Sequence, residues 1–162
     1  MQMRPCGPDD HPALVEVINA AARKYEGVIP ADCWRWPYMA PDELAEETAK
    51  GVTFLGAWRD GALCGVMGLQ DRGEVRLIRH AYVRPRFQGL GLGGRLLGRL
   101  CASGDKPILV GTWAAADWAV GFYRRHGFSP AGAEDARRLL AAHWSIPPRQ
   151  AEASVVLVRP AH

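Results

Sequence analysis

A chain of 162 residues, 48% apolar and 23% charged, has the length and balance of one soluble domain with a sizeable core, so residues 1–162 are read as a single unit. Its net charge of +3 is too small to imply a nucleic-acid partner, and no apolar run approaches the ~20 residues needed to cross a bilayer. The start, Met1-Gln-Met-Arg-Pro-Cys6, has no apolar signal core, which makes a cytoplasmic location the expectation.

In chain order, residues 1–5 read as a short first strand. Gly7-Pro-Asp-Asp10 offers a helix start, and Leu14, Val15, Val17, Ile18, Ala21 and Ala22 then recur at amphipathic spacing. From residue 25 to 41 the pattern breaks into a proline-interrupted connection. It carries Trp34, Trp36 and Tyr38 and reads equally as a pocket wall or as cover for the core. Pro41-Asp-Glu-Leu44 begins a second helix with acids in its first turn, and Gly51 is placed to stop it. Residues 53–59 and 62–69 are apolar runs around Asp60-Gly61, a tight-hairpin signal, and Asp71-Arg-Gly73 turns into a third strand over 74–83. The three strands are expected to form an antiparallel meander.

After the glycine-rich stretch, Leu92, Leu96, Leu97, Leu100 and Cys101 make one apolar helical stripe. Gly98 within it costs ~1 kcal/mol relative to alanine, which implies a packing reason. Residues 108–113 are a short strand reached through that helix, hence parallel to the strand before it. Residues 114–126 read as a helix with Trp118, Ala119, Phe122 and Tyr123 on its inner face and Gly127 as its stop. A short strand at 128–130, a helix at 134–143, a loop at 145–150 and a last strand at 154–159 complete a mixed α/β domain. Cys6, Cys33, Cys64 and Cys101 form no Cys-x-x-Cys pair and the five histidines are scattered, so free thiols and no metal site are expected.

Within six residues Gly89, Gly91, Gly93 and Gly94 remove nearly every Cβ just where a helix begins. The first N–H groups of a helix lack internal partners and carry the positive end of its dipole, so a phosphate or pyrophosphate suits the site. From residue 72 to 99 seven arginines stand against Glu74 alone, which reads as a polyanion site or as a solvated basic face.

Gly89-x-Gly91-x-x-Gly94 satisfies the dinucleotide fingerprint only literally. The strand-to-helix turn is interrupted by Arg-Pro-Arg-Phe-Gln, the next strand carries no acid, and the preceding strands are a meander rather than a βαβ series. No Gly-Lys-Ser/Thr is present, which excludes a P-loop. Gln88-Gly-Leu-Gly91-Leu-Gly93 instead matches Gln/Arg-x-x-Gly-x-Gly/Ala, preceded by Ala81-Tyr-Val83. Ala119-x-x-Phe122-Tyr123-x-x-x-Gly127-Phe128 follows at a distance of one helix and one strand. In both motifs and their order the sequence resembles the GNAT superfamily of N-acetyltransferases, over nearly the whole chain.

That resemblance implies the GNAT fold, in which two parallel strands splay and the pantetheine of acetyl-CoA enters the gap. Here these are the strand ending at Val83 and the strand 108–113. It assigns Ala81, Tyr82 and Val83 to pantetheine, the loop Gln88, Gly89, Leu90, Gly91, Leu92, Gly93 and Gly94 to the pyrophosphate, and Phe122 to cofactor contact. Arg95, Arg99 and Arg125 are candidates for the 3′-phosphate. Tyr123 takes the place of the family's general acid, protonated at neutral pH because a phenol has a pKa near 10. Three positions depart from the family: Ala116 stands where an asparagine is frequent, and Leu77 and Gly111 stand where some members carry a glutamate base. His80 is then the candidate base, with Glu74 and a water relay behind it.

The expected function is therefore acetyl-CoA-dependent acetylation of a primary amine, of a small molecule, by direct attack in a ternary complex. No nucleic acid, membrane or metal is implied, and homodimerisation is left open. The rival readings are a non-catalytic acyl-CoA sensor on the same fold and, more distantly, a nicotinamide-dinucleotide oxidoreductase.

Overall fold

The computed structural model of the chain describes residues 1–161. Strand β1 (Gln2–Pro5) leads through a 3-10 turn into helix α1 (His11–Ala22), which buries Leu14, Val17, Ile18, Ala21 and Ala22. The aromatic connection follows and is anchored by one amide. Asn19, buried on α1, donates to the Met39 carbonyl at 2.9 Å and accepts from the Met39 N–H at 2.7 Å. Helix α2 (Pro41–Ala49) ends at Gly51, whose φ of +97° is open to glycine at little cost.

Strands β2 (Thr53–Arg59), β3 (Ala62–Asp71) and β4 (Arg76–Val83) form the expected antiparallel meander. Asp60 and Gly61 both take positive φ, as a type I′ hairpin requires. Helix α3 (Leu92–Ala102) crosses to β5 (Ile108–Trp113), followed by α4 (Asp117–Arg125), β6 (Ser129–Pro130), α5 (Ala133–His143), α6 (Pro148–Glu152) and β7 (Ser154–Arg159). The seven strands lie in the order β1-β2-β3-β4-β5-β7-β6, all antiparallel neighbours except β4 and β5.

Two cores sandwich the sheet. Leu14, Ile18, Leu44, Phe54 and Val66 pack under α1 and α2, while Leu92, Leu96, Met67, Ile78 and Tyr123 pack under α3 and α4. Two expectations from sequence change. The segment expected as a loop at 145–150 contains the short helix α6, entered by Pro148 at a position that tolerates a missing N–H. Around Gly98 a Cβ would meet nothing within 4 Å, so no packing contact requires glycine there.

The feature that positions the site is the parting of β4 and β5. Their parallel register runs only over Arg76↔Ile108, Leu77↔Leu109 and Ile78↔Val110. Beyond it β4 stays with β3 as far as Val83↔Gly65, and β5 stays with β7 as far as Trp113↔Ser154. The edges that face each other across the gap are left without strand partners.

Candidate active site

A groove of about 730 Å³ runs from this gap on the α3 and α4 side of the sheet. The glycine stretch forms its rim. Gln88 donates from Nε2 to the Val83 carbonyl at 3.0 Å, which folds the loop back onto the end of β4. Gly89 and Gly91 take φ of +78° and +77° with open space where a Cβ would stand, and Gly91 caps α3. Arg95 N–H donates to the Gly91 carbonyl at 3.1 Å and opens the hydrogen-bond ladder of α3, so the N–H groups of residues 92–94 have no helical acceptor.

Gly93 and Gly94 are small for another reason. A Cβ at 93 would stand 3.3 Å from the Phe122 ring, and one at 94 would stand 2.8 Å from His126 Nε2. Helix α4 thus rests its side chains on the first turn of α3. His126 Nδ1 lies 2.8 Å from the Phe122 carbonyl, which can only accept, so Nδ1 carries a proton and Nε2 is the nitrogen beside Gly94.

Of the candidate site residues, Ala81, Tyr82, Val83, Gln88, Gly89, Gly91, Leu92, Gly93, Gly94, Phe122 and Tyr123 line the groove; Leu90 does not and is 65% exposed. Arg95 and Arg125 line it together with Lys24, whereas Arg99 lies outside. The seven arginines between 72 and 99 do not form one patch. Arg79 pairs with Glu47, Arg84 pairs with Glu16, and Arg76 is buried under the end of α3, donating to the Leu100 carbonyl at 3.3 Å and to Ser103 Oγ at 3.0 Å.

A second cavity, about 310 Å³, opens on the α1 and α2 side. Tyr25, Tyr38, Tyr82, Trp113 and Trp144 supply its aromatic lining, and Arg35, Glu43, Glu47 and Arg79 its charge, with the His80 imidazole beside them. Tyr38 is the one ring of the Trp34, Trp36, Tyr38 trio that lines it. Trp34 stacks on Tyr38 at 6.0 Å, and Trp36 is half-exposed under the Arg23 guanidinium at 3.5 Å. No local motif in the sequence marks Tyr25, Trp113, Trp144 or Glu47 as lining a site. Groove and cavity share Tyr25, Ala81, Tyr82, Ala119 and Tyr123, so the two meet through the gap between β4 and β5. Burial pushes the phenols of Tyr25, Tyr82 and Tyr123 well above their usual pKa, so all three are protonated at neutral pH.

Both positions that lack the family's glutamate are filled. Leu77 is fully buried, and a Cβ on Gly111 would stand 3.3 Å from the Trp144 ring. Ala116, also fully buried, packs beside Ile29 and Trp113 at the start of α4. Glu74 is exposed beside the Asp71–Gly73 turn and lines neither space, which removes it as a base. His80 lines the cavity on the α2 side.

The Acetyltransferase (GNAT) domain family model matches residues 19–143. The chain belongs to the GNAT acetyltransferase family. No curated protein matches it in sequence. Among solved structures it is similar to PaiA N-acetyltransferase from Thermoplasma acidophilum in complex with coenzyme A, at 16% identity and a TM-score of 0.74 over 98% of each chain. It is similar to the ribosomal-protein-S18-alanine N-acetyltransferase from Escherichia coli, at 16% identity and a TM-score of 0.69 over 99% of this chain and 93% of that one. The third, N-acetylglutamate synthase from Neisseria gonorrhoeae complexed with coenzyme A and N-acetyl-glutamate, has 18% identity and a TM-score of 0.68, over 99% of this chain and 35% of that one. At these identities the likeness is one of fold. The residues of this GNAT chain fit coenzyme A on their own geometry: an unpaired strand edge for amides, open glycines at a helix start for pyrophosphate, and the cations Lys24, Arg95 and Arg125 along the groove. No helix among the described residues is long and apolar enough to cross a membrane.

Proposed function

We propose that the protein is an acetyl-CoA-dependent N-acetyltransferase that acetylates a primary amine of a small molecule by direct attack in a ternary complex, as a single domain. The meeting of groove and cavity at Ala81, Tyr82 and Tyr123 carries this reading, since a donor held on one face and an acceptor held on the other then share one reacting centre.

Acetyl-CoA supplies an acetyl group activated as a thioester. The chain's residues do the rest. The edge Ala81, Tyr82 and Val83 aligns the pantetheine, the loop from Gln88 to Gly94 holds the pyrophosphate, and a backbone N–H near Val83 stabilises the developing oxyanion. Tyr123, buried and protonated, gives its phenol proton to the departing sulfur, and His80 takes the proton that the acceptor ammonium must lose.

A small acceptor is favoured by how the cavity is closed. Arg149 on α6 donates to Asp32 of the aromatic connection at 2.8 Å, and Trp144, Ile146 and Pro147 line the same side. That ion pair ties α6 to the aromatic connection next to Cys33 and Gln150, which line the cavity, and so favours an enclosed acceptor over an extended peptide. The test is a thiol-release screen with acetyl-CoA and a panel of small primary amines beside peptide amines, preceded by a melting shift with acetyl-CoA. Acetylated small amines are the expected product. No shift at millimolar acetyl-CoA removes the donor, and acetylated peptides alone remove the small-molecule acceptor.

A further inference from the structure

A one-residue bulge separates Val66↔Tyr82 from Gly68↔Arg79, so that β4 carries one residue more than β3. His80 sits in it at φ +54°, a left-handed conformation that a non-glycine residue holds only where its surroundings impose it. The bulge lets two consecutive side chains reach the same carboxylate on α2. Arg79 Nη2 lies 3.2 Å from Glu47 Oε1 and His80 Nε2 lies 3.6 Å from Glu47 Oε2, which regular strand alternation would forbid.

His80 Nε2 is sealed from solvent and has no hydrogen-bond partner, and the ring stacks on Phe54 at 6.1 Å. Nδ1 makes no hydrogen bond to protein and is not among the sealed atoms, so it is the ring nitrogen that keeps access to solvent, and His80 lines the cavity. Glu47 is fixed from behind. Arg79 also donates to Gln70 Oε1 at 3.2 Å, and Gln70 donates to the Lys50 carbonyl at 3.1 Å. The other carboxylate of the cavity, Glu43, is paired with Arg35.

We propose that Glu47 is a positioning residue for acceptor deprotonation: its carboxylate keeps the His80 proton on Nε2, leaving the Nδ1 lone pair toward the cavity as the base. This rests on the N-acetyltransferase reading above. The acceptor ammonium passes one proton to His80 Nδ1, and the freed lone pair bonds the acetyl carbon as the carbon–sulfur bond breaks. The sulfur takes the Tyr123 phenol proton, the second proton lost by nitrogen restores that phenol, and His80 releases its proton to solvent. The products are an amide, a thiol and one proton. Glu47 of α2 faces His80 directly; the charged and titratable groups that share its cavity or act on Glu47 are Glu43 of α2, Lys50 just after it, Arg35 and Tyr38 of the connection, and Arg79 and Tyr82 of its own strand, while Phe54 of β2 brings no charge.

The test is Glu47→Gln. With acetyl-CoA and the amines the parent accepts, kcat/KM at pH 7 falls about 10- to 100-fold, at the low end of general-base effects. The deficit closes toward pH 10 as amines lose their proton unaided, acetyl-CoA affinity is unchanged, and Glu47→Asp retains more activity than Glu47→Gln. An equal rate, or a deficit of the same size at every pH, overturns the inference. A second measurement needs no acceptor. Long-range ¹H–¹⁵N correlation of histidine-labelled protein, with His80 assigned through His80→Gln, shows the Nε2–H tautomer in the parent and loses that bias in Glu47→Gln. An Nδ1–H tautomer in the parent overturns it. A parent that binds acetyl-CoA but acetylates no amine fails the N-acetyltransferase reading, while the tautomer still decides the role of Glu47.

Discussion

The indole N–H of Trp113 donates to the phenol oxygen of Tyr38 at 2.8 Å, joining the end of β5 to the aromatic connection in the wall of the second cavity. Trp113 is buried and lines the cavity, so its donor loses a protein partner when Tyr38 loses its hydroxyl. Tyr38→Phe is expected to lower unfolding stability by about 0.5–1.5 kcal/mol, the net contribution of one intramolecular hydrogen bond. Urea denaturation checks it, and an unchanged midpoint with unchanged slope would show that the bond contributes nothing.

The contact between Gly94 and His126 makes a prediction that one substitution cannot. Gly94→Ala places a Cβ against His126 Nε2, whose ring is tethered through Nδ1 to the Phe122 carbonyl. Coenzyme A affinity should fall about tenfold, near 1.4 kcal/mol. Adding His126→Ala should recover part of that loss. Calorimetric titration with coenzyme A decides, because strictly additive losses would mean that the two residues do not meet.

The clasp between Arg149 and Asp32 should matter for the acceptor and hardly for folding. Both side chains are about half-exposed, and exposed ion pairs contribute little stability. Arg149→Ala is expected to leave the melting temperature nearly unchanged while raising the acceptor KM several-fold. The hydrogen bond from Arg149 holds the Asp32 carboxyl below its ordinary range. A carboxyl with a depressed folded pKa keeps its partner above that pKa and loses it as pH falls through it, so the clasp persists at neutral pH and opens only in acid. An acceptor KM that Arg149→Ala leaves unmoved at pH 7 would remove the clasp from the account.

Glu47 adds a folding effect of the same sign. Burial pushes its carboxyl up, but the neighbouring His80 and Arg79 outweigh burial and hold it below the usual glutamate range. Its stabilising contribution is therefore present above the unfolded glutamate pKa and lost as pH falls through the lower folded value. Melting curves from pH 7 down to pH 3 should show a shallower acid loss for Glu47→Gln than for the parent.

Much of this was legible in the sequence where the signal is local. The Asp60-Gly61 hairpin, the 3.6-residue stripe of α3 and the helix that Gly127 follows each rest on signals within a dozen residues, and each forms in the structure. What the sequence hid is long-range. No periodicity marks a bulge that turns His80 and Arg79 to one side, and nothing near residue 47 relates it to residue 80. The density of arginines misled for the same reason, since their partners come from α1, α2 and the end of α3. Gly94 is a third case: a motif glycine explained by the side chain above it as much as by a ligand beside it.

The most direct test of the central claim is thiol release from acetyl-CoA, with mass-spectrometric detection of the acetylated amine, for the parent and for Tyr123→Phe. Tyr123 is buried between groove and cavity, and the phenol ring without its hydroxyl still fills that space. The parent is expected to give one acetylated amine per thiol released, and Tyr123→Phe a rate about 10²-fold lower with equal coenzyme A affinity. Coenzyme A binding by both proteins with no acetylated amine from either would contradict it and mark the protein as an acyl-CoA sensor.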